Sequence, residues 1–241
     1  PITQIIREEA TRPANSSAGR PLPLAASWNT GGTGNGFTSD YQIARIRSGN
    51  FLLPGFTLPF PGDISQYAAG IQWFAQQRLP VSFLGGNLPA MLYDPYFDYY
   101  SLPPAENANV IELNGTIRRQ LDPMGPIARW RDAGARLMSS PVFPQLQQLY
   151  PDPPLILFLS NNEENRLNWT EAEQSKRYVD AYGLGRTDDF KRSVIATGWI
   201  ERYRAMQSAM RDGLTSQNWR NRAGFVAYDA FGPPHFGRWS G

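Results

Sequence analysis

The residues with the clearest chemical potential stand directly after an apolar run in the middle of the chain. Residues 155–159 read Leu-Ile-Leu-Phe-Leu and are followed by Ser160, two asparagines and two glutamates. A short, continuously apolar run that polar residues bound is typical of a buried strand. A carboxyl group at the end of such a strand is partly desolvated, which raises its pKa toward that of a general acid. Glu163 could therefore protonate a glycosidic oxygen while the amide of Asn162 binds a sugar hydroxyl.

Polar and aromatic residues that follow the other predicted strands could bind the same substrate. A pyranose presents a C–H face to an aromatic ring and hydroxyl groups to polar side chains. His235 is the only histidine of the chain, so it could contact a hydroxyl or a carboxylate but could not hold a metal alone. The predicted substrate-binding residues are Trp28, Asn29, Tyr93, Asp229, His235 and Trp239.

Alternating apolar and helical segments form the frame that must position these residues. Strands are predicted at 22–28, 51–58, 79–84, 155–159 and 224–228, and helices at 64–77, 126–139, 142–150 and 190–211. Thr170 and Glu173 predict a capping box at the start of a further helix. Strands that are apolar throughout and separated by helices indicate a parallel sheet with helices on both faces. The predicted fold class is α/β, with ligands at the carboxyl ends of the strands.

The segment 155–163, LILFLSNNE, resembles the fourth strand of retaining glycoside hydrolases with a (β/α)8 barrel, in which an Asn-Glu pair ends that strand. The resemblance implies a parallel (β/α) barrel of TIM-barrel type that is incomplete in this chain. It also implies that Glu163 is the acid/base and that Asn162 contacts the substrate 2-hydroxyl. It extends over the strand framework from residue 22 to 239, including strand-end aromatics such as Trp28. The family usually has a small residue or proline after the catalytic glutamate, whereas this chain has Glu164.

The length of the chain also departs from that family. A complete barrel takes about 250 residues, and the chain has 241 residues with only five predicted strands. In the family the nucleophilic glutamate ends the seventh strand. Residues 1–20 carry Pro, Asn, Ser and Gly with little periodicity and are predicted to form a lead-in segment. The resemblance implies that residues 21–241 form a catalytic domain that is truncated at its C-terminus. The nucleophile would then belong to the remainder of a larger chain, and this fragment alone could be inactive.

The composition of the chain disfavours several other classes of function. The absence of cysteine excludes thiolate chemistry and cysteine metal sites, and a single histidine leaves no metal or other cofactor expected. The 23 basic and 21 acidic residues are interspersed, so we expect no nucleic-acid partner. No window approaches the roughly 20 apolar residues that cross a bilayer, so we expect no membrane partner. A polysaccharide substrate favours an extracellular or periplasmic location.

Two alternative functions are compatible with the same residues. A non-catalytic carbohydrate-binding or structural protein would need the aromatic loops but no acid, and Glu163 would then lie on a solvated loop. A serine esterase could use Ser160 with Asp229 and His235, which follow it in the required order. The esterase is the weaker alternative, because Ser160 lacks the G-x-S-x-G frame that forms a nucleophile elbow.

Three tripeptides of the chain match the acceptor pattern for N-linked glycans. They begin at Asn15, Asn114 and Asn168. The pattern often arises by chance, and it has a consequence only in a eukaryotic secretory host.

Overall fold

The computed structural model of the protein describes residues 102–161 and 166–228. Before them it describes Gln4, Glu8 and residues 24–25, 52–53, 55–58, 68–78 and 80–86. The chain forms two compact units. The first consists of the described parts of Pro1–Gly85, Pro141–Leu159 and Thr215–Val226, and the second of the described parts of Gly86–Ser140, Ser160–Leu214 and Ala227–Gly241.

The strands of the described residues form three separate sheets. Strands β1 (Leu24–Ala25) and β2 (Leu52–Leu53) make a parallel pair. Strands β5 (Asn109–Ile111) and β6 (Ile117–Leu121) make an antiparallel hairpin. The third sheet has four strands in the order β3 (Gly55–Leu58), β4 (Val81–Gly86), β7 (Ile156–Asn161) and β8 (Ala223–Tyr228).

Helices make up more of the described chain than strands do. They are α1 (Ala68–Gln77), α2 (Ile127–Met138), α3 (Val142–Leu149), the 3-10 helix Trp169–Gln174, α4 (Lys176–Tyr182), α5 (Asp188–Asp212) and α6 (Gln217–Arg222). Ser175, Thr187 and Ser216 begin α4, α5 and α6, and each side-chain oxygen accepts a hydrogen bond from the backbone N–H three residues further on. These caps satisfy N–H groups that have no partner within the helix.

The parallel barrel that the sequence predicts is wrong. Helix predominates in the described residues, the sheets there are small, and one of them is an antiparallel hairpin. The predicted strand at 22–28 has two paired residues in the described part, and the run at 51–58 gives two strands of different sheets on either side of Pro54. A continuously apolar run indicates that both faces of a strand are buried, but it does not say how the strands close into a sheet.

Most of the individual elements nevertheless agree with the sequence prediction. The confirmed elements are α2, α3, α5, β4, β7 and β8, with bounds that shift by at most two residues. The predicted capping box of Thr170 and Glu173 is wrong, because Asn168 and Glu171 form the box that begins the 3-10 helix. The N–H of Thr170 donates to the Asn168 side chain, so Thr170 lies within the 3-10 helix and is not its N-cap.

Aromatic side chains fill the core of the first unit. Phe83 on β4 and Phe158 on β7 are fully buried and stack with ring centroids 5.0 Å apart. Phe225 on β8 stacks on the other side of the pair, 5.2 Å from Phe158. Trp219 on α6 is also fully buried, and its indole N–H donates to the carbonyl of Tyr150 over 2.8 Å. These contacts join α6 to the sheet.

Burial of Tyr150 gives the first unit a pH-dependent stability. Burial raises the pKa of this phenol from 10.0 to about 12, although Arg78 opposes the shift. As pH rises, the unfolded chain therefore loses the phenolic proton before the folded chain does. The stabilising contribution is complete below pH 10 and is lost between pH 10 and about 12.

Between pH 10 and about pH 12, the free energy of unfolding should fall by up to about 2 kcal/mol more for wild type than for Tyr150→Phe. Urea unfolding of both proteins across the window measures the difference. The phenylalanine variant retains the carbonyl that binds Trp219, so it is a matched control. Equal losses in the two proteins would contradict an elevated phenol pKa.

Two helices pack closely in the second unit because glycines lie at their contacts. A Cβ at Gly134 on α2 would lie 2.3 Å from the carbonyl oxygen of Met206 on α5. A Cβ at Gly198 on α5 would lie 2.5 Å from the carbonyl oxygen of Pro123, just before α2. Trp130 is fully buried beside this contact, with its ring centroid 5.2 Å from that of Tyr203. The backbones therefore approach so closely at Gly134 and Gly198 that there is no room for a Cβ atom.

Gly198→Ala should destabilise the second unit even though alanine favours helices. The higher helix propensity of alanine contributes about 1 kcal/mol, whereas overpacking against the Pro123 backbone costs about 1–3 kcal/mol. We expect a net loss of up to about 2 kcal/mol in the free energy of unfolding. Ser193→Ala, at an exposed position of the same helix, should change it by less than about 0.5 kcal/mol. Urea unfolding of both variants distinguishes a steric clash from a general effect of alanine.

Candidate functional site

The predicted site residues lie outside the described part of the chain. They are Asn162, Glu163, Trp28, Asn29, Tyr93, Asp229, His235 and Trp239. Two segments that carry them are named here the acidic segment, residues 162–165, and the tyrosine loop, residues 87–101. The described chain ends β7 directly before the acidic segment and ends β4 directly before the tyrosine loop. Ser160, the esterase alternative, belongs to β7, and its side chain also lies outside the described set.

Strands β4, β7 and β8 begin side by side in the four-stranded sheet. The N–H of Val81, the first residue of β4, donates to the carbonyl of Leu155, directly before β7, over 3.0 Å. A Cβ at Gly224, near the start of β8, would lie 3.1 Å from the Leu157 side chain near the start of β7. Neighbouring strands that begin at the same sheet edge run in one direction. Their carboxyl ends therefore lie together at the opposite edge.

The chain is fixed again directly after the acidic segment. The N–H of Leu167 donates to the carbonyl of Leu121 on β6 over 2.9 Å. The indole N–H of Trp199 on α5 donates to the Leu167 carbonyl over 3.2 Å, and the Gln120 amide donates to the Arg166 carbonyl over 3.3 Å. The chain is therefore held by β7 before the acidic segment and by three hydrogen bonds after it.

Arg166 places a buried positive charge at the end of the acidic segment. The residue is 8% exposed, and its guanidinium donates to the hydroxyl of Tyr203 over 3.2 Å. The guanidinium carbon also lies 5.7 Å from the ring centroid of Trp199, a distance at which a cation is attracted to an aromatic face. Sequence reasoning missed this residue, because nothing in its spacing distinguishes it from the many surface arginines.

Arg177 on α4 fixes the chain beyond the tyrosine loop. Its guanidinium donates to the backbone carbonyls of Pro104, Asn107 and Asn109 over 2.7, 2.5 and 2.8 Å. The same group donates to the carboxylate of Asp122 over 3.1 Å. An arginine can satisfy several acceptors at once because its planar guanidinium carries five donors. One side chain thus holds the chain between the tyrosine loop and β5.

Asp122 is the fully buried carboxylate at the centre of these contacts. One carboxylate oxygen accepts a hydrogen bond from the N–H of Met124 over 2.8 Å. The other accepts from the hydroxyl of Ser175 over 2.8 Å and from Arg177. The carbonyl of the preceding residue, Leu121, accepts the hydrogen bond from Leu167. Residues at the end of β6 therefore take part in the contacts that follow both predicted site segments. The sequence signal for this hairpin is the pair Asn114-Gly115, which favours a tight turn between two antiparallel strands.

The described residues contain no group of three or more His, Cys, Asp or Glu side chains that could hold a metal ion. The predicted acids lie outside them, so the expectation of a metal-free site stays a prediction. Among the described helices, none is long and apolar enough to cross a membrane.

Comparison with known proteins places the chain in no family. No family model matches the sequence, and no curated protein or solved structure is significantly similar to it. The resemblance of residues 155–163 to the glycoside hydrolases therefore stays a prediction. A function must be argued from the residues and contacts of the chain itself.

Proposed function

We propose that the protein is a glycoside hydrolase that acts on a poly- or oligosaccharide, with Glu163 as general acid/base. The observation that carries the proposal is the common direction of β4, β7 and β8. The tyrosine loop, the acidic segment and Asp229 directly follow β4, β7 and β8 in the sequence. The common direction of these strands therefore supports a site at the sheet edge where they end. Loops that follow the carboxyl ends of neighbouring parallel strands meet at one edge of the sheet, where they can contact the same ligand.

The proposed reaction is retaining and uses two carboxyl groups. Glu163 first donates a proton to the departing glycosidic oxygen and then removes a proton from the water that completes hydrolysis. A second carboxylate, about 5 Å from the carboxyl group of Glu163, attacks the anomeric carbon and forms a covalent glycosyl-enzyme intermediate, which water then hydrolyses. Asn162 donates a hydrogen bond from its amide to a substrate hydroxyl.

The contacts at the ends of the acidic segment support this role. A general acid must lie within hydrogen-bond reach of the atom that it protonates, and loop residues meet this condition only when the surrounding structure holds them. Leu167 and Arg166 are bound through their backbones to β6 and α5, and the other end of the segment continues β7. Tyr93 and Trp239 are proposed to contact the sugar, and a polysaccharide substrate implies that the protein acts outside the cytoplasm.

Release of reducing ends from a panel of poly- and oligosaccharides tests the proposal. We expect wild type to release reducing ends from at least one substrate and Glu163→Gln to release them about 10²–10⁴-fold more slowly. Binding of a glycan without release by wild type would contradict the hydrolase and favour the carbohydrate-binding alternative. Covalent labelling of Ser160 by a serine-directed phosphonate would contradict it in favour of the esterase.

A further inference from the structure

The tip of the β5–β6 hairpin carries a modification site that is independent of the proposed hydrolase. We propose that Asn114 is an acceptor for an N-linked glycan and that Asn168 is not. Both residues match the same acceptor pattern, so the sequence does not distinguish them. The difference lies in how each side chain is held.

Asn114 is exposed and has its amide nitrogen available. Its Oδ1 accepts a hydrogen bond from the N–H of Thr116 over 2.9 Å, which makes an Asx turn. Within the described residues the Nδ2 group makes no hydrogen bond. Thr116, which supplies the hydroxyl that the acceptor pattern requires, is exposed as well. The side chain is therefore oriented through its oxygen while its nitrogen stays open to a reagent.

The backbone of the hairpin tip leaves room for an enzyme and a sugar. The N–H of Gly115 donates to the carbonyl of Glu112 over 2.8 Å, which closes the turn, and Gly115 has a φ of 87°. A Cβ at Gly115 would meet no atom within 4 Å. Leu113 on the other side of Asn114 is 53% exposed. The acceptor thus lies on a tight, projecting turn with open space on both sides.

Asn168 is engaged at both polar atoms of its side chain. Its Nδ2 donates to the Glu171 carboxylate over 2.7 Å, and its Oδ1 accepts from the N–H of Thr170 over 2.9 Å. Glu171 is in turn bound by the Gln120 amide over 3.0 Å. The residue is also half-buried. A glycan on this nitrogen would disrupt the capping box that begins the 3-10 helix and the network behind it.

The transfer needs a lipid-pyrophosphate-linked oligosaccharide as the donor. The Nδ2 of Asn114 forms a bond to the anomeric carbon of the first sugar. The bond between that carbon and the pyrophosphate oxygen breaks, and the lipid pyrophosphate leaves with the bonding electrons. The nitrogen loses one proton to a base of the transferase. No oxidation or reduction takes place.

Secretion of the full chain from a glycosylating eukaryotic cell tests the inference. Asn15→Gln is included as the background, so that only two acceptor patterns are present. We expect one glycan per chain, removable by an amidase that releases N-linked glycans, with peptide mass spectrometry placing it at Asn114. The mass shift should disappear in Asn114→Gln and Thr116→Ala and persist in Thr116→Ser.

The variants also separate a loss of the acceptor from a loss of folding. Thr116→Ser and Thr116→Ala change the same exposed turn residue, so circular dichroism of the two secreted proteins should be alike. An unmodified Asn114 in the secreted, folded protein would overturn the inference, as would equal occupancy of Asn114 and Asn168. Neither outcome depends on whether the protein hydrolyses a glycoside.

Discussion

Glu163→Gln is expected to lower kcat for the proposed glycoside hydrolysis by about 10²–10⁴-fold. Glutamine has nearly the shape of glutamic acid but cannot donate the proton that the departing oxygen needs. We expect the loss to be largest on natural glycosides. It should be smaller on aryl glycosides whose phenol leaves readily, because these substrates need little acid assistance in the first step. Steady-state rates of wild type and variant on both kinds of substrate measure the effect.

Glu164→Gln is the matched control for that prediction. It removes the same charge one residue further along the acidic segment, and we expect kcat to change by less than about tenfold. A large loss in Glu164→Gln with an unchanged Glu163→Gln would show that the assignment is displaced by one residue. Equal small changes in both variants would contradict a catalytic role for the acidic segment.

Asp122→Ala should lower the free energy of unfolding by about 3–5 kcal/mol. The carboxylate is fully buried and accepts from Arg177, Ser175 and a backbone N–H. Its removal leaves the guanidinium of Arg177 without a carboxylate partner, in a side chain that is only 18% exposed. A buried charge that has lost its partner costs more than the pair itself contributes. Urea unfolding of wild type and variant, followed by circular dichroism, measures the loss.

Asp180→Ala is the control for Asp122→Ala because Asp180 forms an ion pair that is exposed. Asp180 pairs with Lys176 over 2.7 Å, and both side chains are about half exposed. We expect a change of about 0–1 kcal/mol. Combining Asp122→Ala with Arg177→Met should cost less than the sum of the single changes, because the double variant no longer buries an unpaired charge. Strict additivity, or a loss no larger than that of Asp180→Ala, would contradict the structural role of Asp122.

The helices of the second unit could be predicted because one face of each is apolar at regular spacing. Trp130 and Leu137 on α2, and Ile195 and Met206 on α5, are buried as their periodicity indicates. Ile127, three residues before Trp130 on the same face of α2, is 36% exposed because it is the first residue of the helix. The periodicity therefore predicts which face of each helix is buried, but it does not show where burial stops along the helix.

The pairing of the strands could not be predicted from the same kind of signal, which is why the predicted barrel is wrong. An apolar run such as 155–159 fixes a buried strand, and β7 confirms it. The neighbours of that strand depend on pairings between distant segments, which local patterns do not encode. The β5–β6 hairpin also interrupts the predicted alternation of strand and helix between β4 and β7.

The sequence suggested a candidate acid but not the contacts that hold its segment. Gln120 and Arg166 are 46 positions apart, and Arg177 and Asp122 are 55 positions apart. No spacing rule connects residues at such separations. Asp122 stands before a proline in the sequence and is typical of a turn residue, which conceals its burial. The anchoring residues became visible only when the fold brought them together.

The most direct test of the proposed retaining hydrolysis is a time course of anomeric proton signals by NMR during incubation of wild type with the glycan panel. The account predicts that new reducing ends appear with the anomeric configuration of the cleaved bond and only later equilibrate by mutarotation. First products of the opposite configuration would contradict the retaining mechanism. An unchanged spectrum for every glycan, with a protein that is folded by circular dichroism, would contradict hydrolysis by this chain.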